Sequence, residues 1–393
     1  MKPKVLTFVA YYLPGYKFGG PVRTIANMVE HLGDELDFRI VTRDRDALDT
    51  APYPGIQVDG WNRVGKALVF YASPRTLTLR GVGKLIRQTP HDVLYLNSFF
   101  NPHFTILPLL VRRLGLIPRR PCVIAPRGEF SPGALKLKAW KKRPYLWLAR
   151  ALGLYSGLTW QASSDQEAEE IRRALGRVAD RIMVAPDLPS LVSAQRLDQR
   201  IRTEDGPLRV VFLSRITPMK NLDYALRVLG QVRVPVEFNI YGPVWDGTYW
   251  RECERLMQVL PPHIKAEYRG EVPPEDVPEV FLEHDLFFFP TRGENFGHVI
   301  LESLSVGTPV LISDQTPWTD DGTGACTVWS LEAPLVFVVA IEQMAKLSEE
   351  ERQRIRFAAL AMAKKFIERS DLKERSLQLF REAGSEILGG GST

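Results

Sequence analysis

Short, almost wholly apolar runs recur along the chain, each followed by a turn marked with glycine or proline and then by apolar residues at helical spacing. In the first half these runs are 3–12, 38–42, 67–71, 92–96, 122–125 and 158–162; in the second they are 208–213, 236–241, 266–269, 286–289 and 309–312. Most are too short for a buried helix and lack the alternation of a half-exposed strand, so they predict strands covered on both faces. Between them, 22–31, 82–87, 106–114 and the stretch from about 222 predict helices, and Ser163-Ser164 caps another with acids in its first turn. Further helices are predicted over 337–346, 350–366 and 372–387. Strand and helix in regular alternation give an α/β fold with doubly wound parallel sheets. The 393 residues exceed one typical core. The division expected is a first domain over 1–188, a linker over 189–206, a second domain over 207–370, a helix over 371–388 and a flexible tail over 389–393.

The most informative stretch is 285–313, which reads strand, tight loop, helix, strand. Leu286 to Phe289 form the strand, Pro290 and Gly293 mark the loop, and Gly307 stops the helix before Val310-Leu311-Ile312. Glu294 falls at the strand's carboxyl end, where open α/β sheets bind ligands. Backbone N–H groups of about Asn295, Phe296, Gly297 and His298 open the helix and form an anion site. Glu302, about two turns on, flanks it. An N–H cradle framed by two carboxylates suits a phosphate-bearing ligand with several hydroxyls.

Composition is globular, with 45% apolar and 25% charged residues, and no apolar run approaches the length of a spanning helix. Val5 to Leu13 after Lys2 and Lys4 imitates a signal peptide, but Pro14-Gly15 interrupts it and a buried strand is expected instead. Cys122, Cys253 and Cys326 are odd in number and widely spaced, which gives neither a disulfide framework nor a metal site and fits a reducing, cytoplasmic compartment. The net charge of +5 is uneven: residues 1–200 carry 30 Lys/Arg against 17 Asp/Glu, and 201–393 carry 21 against 29. Within 101–150 the ratio is 11 to 1.

That excess concentrates in 126–150, where Leu135, Leu137, Trp140, Tyr145 and Trp147 interleave with Lys136, Lys138, Lys141, Lys142 and Arg143. Rings among lysines suit the headgroup layer of an anionic membrane. A solvated helix with its aromatics in the core would show the same letters. No nucleic-acid motif accompanies the charge, so no nucleic-acid partner is expected. Two other places carry candidate chemistry. Gly19 and Gly20, before the helix at 22–31, let backbone approach a ligand, although a G-x-G-x-x-G spacing is lacking. Arg215 and Lys220, beyond the strand at 208–213, offer two cations for a diphosphate.

E-N-F-G-H-V-I-L-E followed by V-G-T-P-V-L resembles the E-x₇-E motif of the family-4 retaining glycosyltransferases and its continuation. The G-G loop, S-R-I-T-P-M-K-N-L-D, and the turns Gly242-Pro243 and Gly270-Glu271 resemble other parts of that family, the last two its nucleotide-base edge. P-R-G-x-x-S-P-G-A-L…K-K resembles members that build surface polysaccharides. The resemblance implies the GT-B arrangement: two Rossmann-like domains facing across a cleft, with the final helix returning toward the first. By it, Glu302 takes the donor's ribose hydroxyls, and Glu294 with Asn295, Phe296 and Gly297 holds the donor sugar. Arg215 and Lys220 clamp the diphosphate, and Gly19 and Gly20 close from the other domain. Neither cofactor nor metal is implied, since cations and helix amides take the metal's part. The reaction implied is retaining transfer from a nucleotide-diphosphate sugar to a glycan or polyprenyl-diphosphate-linked acceptor, by an enzyme resting on the inner face of the cell membrane.

The sequence departs from the pattern in several places. Ser214 and Asn221 stand where the family has glycine, and D-Q-T-P-W-T-D-D over 314–321 replaces a glycine turn. Arg127 occupies the position of a family histidine, which makes it a candidate for a phosphate on the acceptor. Glu129, Lys141 and Lys142 are further acceptor-side candidates, and His298 and His103 are the histidines in reach by sequence. A sugar-nucleotide epimerase on the same fold, or a nucleotide-sugar-binding scaffold without catalysis, are the alternatives.

Overall fold

Eleven of the fourteen strands among the described residues are built from the apolar runs, and two largely parallel sheets result from the order in which their crossovers are wound. The structure, a computed structural model, describes residues 2–136, 139–190 and 206–389. Almost all of the linker expected at 189–206, the tail beyond 389, and Leu137 and Lys138 of the basic stretch lie outside the described residues. The chain divides into two units, Met1–Leu191 with Ser370–Thr393, and Val192–Arg369.

The first unit holds β1 (Lys4–Phe8), β2 (Asp37–Arg43), β3 (Trp61–Val64), β4 (Ala67–Ala72), β5 (Val93–Asn97), β6 (Cys122–Ala125), β7 (Thr159–Ala162) and β8 (Arg181–Val184). Their order is β3-β4-β2-β1-β5-β6-β7-β8, parallel throughout except for β3, an antiparallel edge on β4. β3 and β8 were not expected. W-N-R-V is too short and polar to show a period, and R-I-M-V sits among charges. The first strand ends at Phe8 rather than at residue 12, and Val9 to Tyr12 turn out into a loop. The helix expected at 106–114 is a π-turn, Pro102–Ile106, running into a helix over Leu107–Arg113.

In the second unit, β9 (Leu208–Leu213), β10 (Val236–Tyr241), β11 (Ile264–Gly270), β12 (Leu286–Phe289), β13 (Val310–Ser313) and β14 (Cys326–Trp329) are all parallel, in the order β11-β10-β9-β12-β13-β14. Winding runs outward from β9 to β11, then jumps back and runs the other way from β12. The jump leaves a crevice between β9 and β12, at the carboxyl ends of both, where doubly wound sheets receive ligands. The first unit has the corresponding reversal between β1 and β5.

The C-terminal helix Asp371–Gly389 packs within the first unit. Phe380 meets Tyr95 edge-on at 5.2 Å and Phe38 at 6.2 Å, and Lys373 Nζ pairs with Glu35 at 2.8 Å. In the second unit the buried His284 faces the Val280 carbonyl through Nδ1 at 2.6 Å, so that nitrogen carries the proton. Nε2 then accepts from Asn239 Nδ2 at 2.9 Å. Burial lowers the His284 pKa, because a charged ring there loses solvation. The unfolded histidine takes up a proton near pH about 6.5, while the buried ring resists. Stability is therefore expected to fall as pH drops from there through the ring's depressed value. Urea midpoints at pH 7 and pH 5 should show this loss, and His284→Gln should flatten the dependence.

Candidate functional site

The site grows from the two loops that leave β9 and β12. The first is fixed by a neighbouring loop. Ser214 N donates to Tyr241 O at 3.0 Å and Ile216 N to Pro243 O at 2.9 Å. Gly242 lies so close that a Cβ there would stand 2.0 Å from Ser214 O, and its φ of +129° would strain any other residue. Trp245, on the loop beyond β10, then lies under Arg215, whose guanidinium carbon is 5.4 Å from the ring centroid. Trp245 was missed by sequence reasoning, which read Gly242-Pro243 as a turn resembling a nucleotide-base edge and went no further along the loop. The signal was an aromatic residue three positions after the glycine, on the loop neighbouring the cations.

Asn221 stands where the resemblance leads one to expect glycine, and its backbone shows how asparagine fits there. It takes φ 64° and ψ 35°, the left-handed region that asparagine tolerates better than most residues, and starts the helix Leu222–Leu229. Its side chain joins the two loops: Nδ2 donates to Pro290 O at 2.8 Å, and Oδ1 accepts from Arg292 Nε at 2.8 Å. Arg292 N also donates to Met219 O at 2.8 Å. Asparagine therefore meets the backbone demand and adds hydrogen bonds glycine lacks.

Lys220 and Glu294, expected to hold different parts of one ligand, are paired with each other through Nζ and Oε1. Their side chains are only 12% and 13% exposed, so the pair is poorly solvated and strongly coupled. Burial lowers the Lys220 pKa; Glu294 opposes that shift, and the charge of Arg215 adds to it. Lys220 also lies 5.6 Å from the Phe289 ring centroid. Glu294 N donates to Gln315 O at 3.0 Å, which ties its loop to the segment after β13.

The helix His298–Ser305 opens at Gly297, with φ 81° and no side-chain cap. A Cβ at Gly297 would stand 2.8 Å from Ile300 Cδ1. Phe296 is buried against His298, Trp318 and Phe366, and Trp318 Nε1 donates to its carbonyl at 2.6 Å. Phe296 therefore serves the site through its backbone, and Trp318 pins that backbone. Trp318 belongs to the D-Q-T-P-W-T-D-D segment that replaces the glycine turn. Asn295 lies on the same half-buried loop, Glu302 is half-buried on the helix, and His298 is buried as its first residue.

Gly19 and Gly20 lie in the first unit. Gly19 takes φ 68° beside open space and precedes the helix Gly20–Leu32, which has no side-chain cap. Asp46 fixes the loop before it, accepting from Tyr16 N at 2.8 Å and Lys17 N at 3.1 Å through Oδ2.

The acceptor-side expectations need correction. Arg127 takes φ 57°, and its guanidinium points inward: it pairs with Asp187, whose side chain is 3% exposed, and donates to Asn97 Oδ1 and Tyr95 OH. A fork so engaged serves the protein's own buried network. Glu129 accepts from Ser98 Oγ at 2.7 Å, Phe99 N at 2.6 Å and Phe100 N at 3.0 Å, holding the loop after β5 where Ser98 has φ 88°. Its oxygens are taken by the protein's own loop, and burial raises its pKa against those three bonds. Glu167 does the same for the turn after β6, accepting from Gly128 N at 2.6 Å and Ser163 N at 2.7 Å. Lys142 donates to Ala134 O at 2.7 Å and lies over Phe100, whereas Lys141 is exposed over the Trp140 ring. His103 is half-buried on the π-turn. Among the described residues no three His, Cys, Asp or Glu side chains gather as a metal site.

Residues 193–321 match the family model of glycosyl transferases group 1, a stretch that contains Arg215, Lys220, Glu294 and Glu302. The chain is 24% identical over 238 residues to an uncharacterized 41.2 kDa protein in the cps region of Klebsiella pneumoniae, covering 59% of this chain and 62% of that one. It is 30% identical over 139 residues to a GDP-mannose-dependent alpha-(1-6)-phosphatidylinositol monomannoside mannosyltransferase of Mycolicibacterium smegmatis, covering 34% and 35%. These matches span less than two thirds of either relative. Anabaena HepE, solved in complex with UDP and glucose, superposes with a TM-score of 0.67 over 98% of this chain and 99% of its own, at 16% identity. The fold is GT-B, and within its second unit the similarity to glycosyl transferases group 1 runs to residue 321.

Removing one partner of the buried pair should expose its cost. Lys220→Met leaves Glu294 half-buried without its cation and is expected to destabilise the second unit by about 3–5 kcal/mol. The double variant Lys220→Met/Glu294→Gln should recover most of that in urea unfolding, and a cycle without coupling would refute the pairing.

Proposed function

We propose that this chain is a glycosyltransferase that moves a sugar from a nucleotide-diphosphate sugar, held by the second unit, to a glycan acceptor held by the first. The observation that carries the reading is the convergence of Arg215, Lys220, Glu294 and an uncapped helix start at the carboxyl ends of β9 and β12. Two cations and helix amides suit a diphosphate, and carboxylates suit sugar hydroxyls. The group 1 match over these loops and the GDP-mannose dependence of the mycobacterial relative support the same donor class.

The chemistry follows from charge. The bond between the anomeric carbon and the diphosphate oxygen breaks, negative charge grows on the diphosphate, and Arg215 with Lys220 stabilises it. The acceptor hydroxyl oxygen bonds to the anomeric carbon on the face the diphosphate leaves, and a diphosphate oxygen takes its proton. Configuration is retained in this scheme, and Arg215 with Lys220 takes the charge-neutralising part that a metal plays elsewhere. Ligand entry must first divide the Lys220–Glu294 pair, the lysine turning to the diphosphate and the carboxylate to the sugar. Glu294 is a binding group in this scheme, and Glu302 takes the ribose.

The acceptor is a lipid-linked glycan of surface-polysaccharide synthesis, reached at the inner face of the membrane. The helix Ala139–Ala151 supports this: Trp140 is 74% and Trp147 72% exposed, with Leu148 and Leu152 beside them. Tyr145 turns inward to Phe99, Phe100 and Tyr155, so the exposed tryptophans are a surface and not a core. Arg113 Nε donates to Leu152 O at 3.1 Å and brings exposed Leu114 and Leu116 alongside. The cps-region relative fits a capsule-type product. No helix among the described residues is long and apolar enough to cross a membrane, so attachment would be peripheral.

Transfer from UDP-, GDP- and dTDP-sugars to a membrane extract, in EDTA, tests this. Metal-independent transfer to the lipid fraction is expected, with Glu302→Ala reducing it about 10²-fold or more, mainly through donor KM. Nucleotide-sugar binding without turnover would contradict an enzyme. Interconversion of free nucleotide sugars would instead indicate an epimerase.

A further inference from the structure

The carboxyl ends of β1, β2 and β5 in the first unit assemble a group that none of the roles above uses. Arg43, the last residue of β2, is half-buried with its guanidinium carbon 5.7 Å from the Tyr11 ring centroid and 5.6 Å from that of Phe104. Its Nε is fully buried without a hydrogen-bond partner, and no carboxylate pairs with its guanidinium among the described residues. Arg127, which follows β6, is by contrast engaged by Asp187, Asn97 and Tyr95. A half-buried guanidinium without an anion beside it is costly unless something supplies one.

The surroundings are built and not incidental. Asn101 Oδ1 accepts from His103 N at 3.1 Å and Phe104 N at 3.0 Å, which sets the π-turn that delivers both side chains to Arg43. His103 has a buried Nδ1 without a partner among the described residues, and its pKa is lowered by burial and by the Arg43 charge, so it stays a neutral hydrogen-bonding ring. The Tyr11 ring lies 4.7 Å from that of Phe18 on the glycine loop, tilted by 36°, so aromatic surface extends from Arg43 toward Gly19. The location is the winding reversal between β1 and β5, the ligand position of this sheet.

We propose that Arg43, with His103 and the rings of Tyr11 and Phe104, forms an oxyanion-binding subsite for the acceptor. Arg43 takes a phosphate or carboxylate oxygen of the acceptor through its fork. Tyr11 and Phe18 present apolar faces to the adjoining sugar ring or chain. The inference rests on the glycosyltransferase reading and deepens it, moving acceptor recognition from Arg127 and Glu129 to Arg43. Two sources supply such an oxyanion: the diphosphate of a prenyl-linked acceptor, or the carboxylate of an acidic sugar.

Calorimetric titration of the full chain, saturated with whichever of UDP or GDP it binds, separates them. The probes are geranyl diphosphate and D-glucuronate. One of the two is expected to bind the wild type, and Arg43→Ala to weaken it at least about tenfold, with nucleotide affinity unchanged and Arg43→Lys retaining part of the binding. The probe that binds names the source. Should Arg43→Ala also lose nucleotide, Arg43→Gln carries the comparison. Wild-type affinity in the Arg43 variants, or no binding of either probe to the wild type, overturns the proposal. If neither nucleotide binds, the donor reading fails, and the same Arg43 comparison without nucleotide still decides the subsite.

Discussion

A lysine and a glutamate held together out of water constrain everything around them. Lys220 and Glu294 leave strands that were laid down in opposite winding directions, and their ion pair closes the gap that the reversal between β9 and β12 opens. Neither charge is tolerable at that depth alone. The loops are accordingly over-determined: Asn221 spans them with two hydrogen bonds, Gly242 lets one neighbouring loop approach, and Trp318 pins the backbone of the other. A site so braced pays little reorganisation when a ligand exchanges one buried pairing for two.

The first unit meets the same geometric problem with different chemistry. Its reversal between β1 and β5 is backed by carboxylates and an arginine that serve the backbone: Glu129 holds the Ser98–Phe100 loop, Glu167 the turn at Gly128, and Arg127 a buried polar network with Asp187. Arg43, half-buried at the carboxyl end of β2, is not part of that framework. Recognition and support are thus assigned to neighbouring residues of similar type, which is why residue type alone misassigns them.

The parallel strands and their helices were legible because burial on both faces writes itself into continuous apolar runs, as in Leu286 to Phe289. β3, β8 and β14 were not, since four-residue edge or near-edge strands such as Cys326–Trp329 carry no readable period. At the site, Glu294, Lys220 and Arg215 could be placed beyond strand ends by spacing, but their mutual pairing could not, because it depends on which strands become neighbours. Asn221 in place of glycine was legible as a departure; its left-handed backbone made the departure harmless. Arg127 and Glu129 were misread for the opposite reason: burial, which no local pattern in P-R-G-E-F reports, turns both away from ligand. The tryptophans of 140 and 147 stayed ambiguous in sequence, because an exposed face and a core face share the same letters.

Amide hydrogen exchange on the full chain, with and without UDP-glucose or GDP-mannose, reads the central claim most directly. If the second unit's reversal holds the donor, one of these ligands should slow exchange in 214–221 and 293–301 together, leaving the amino ends of β9 and β12 unchanged. Protection confined to other segments, or none with any nucleotide sugar, would contradict the account.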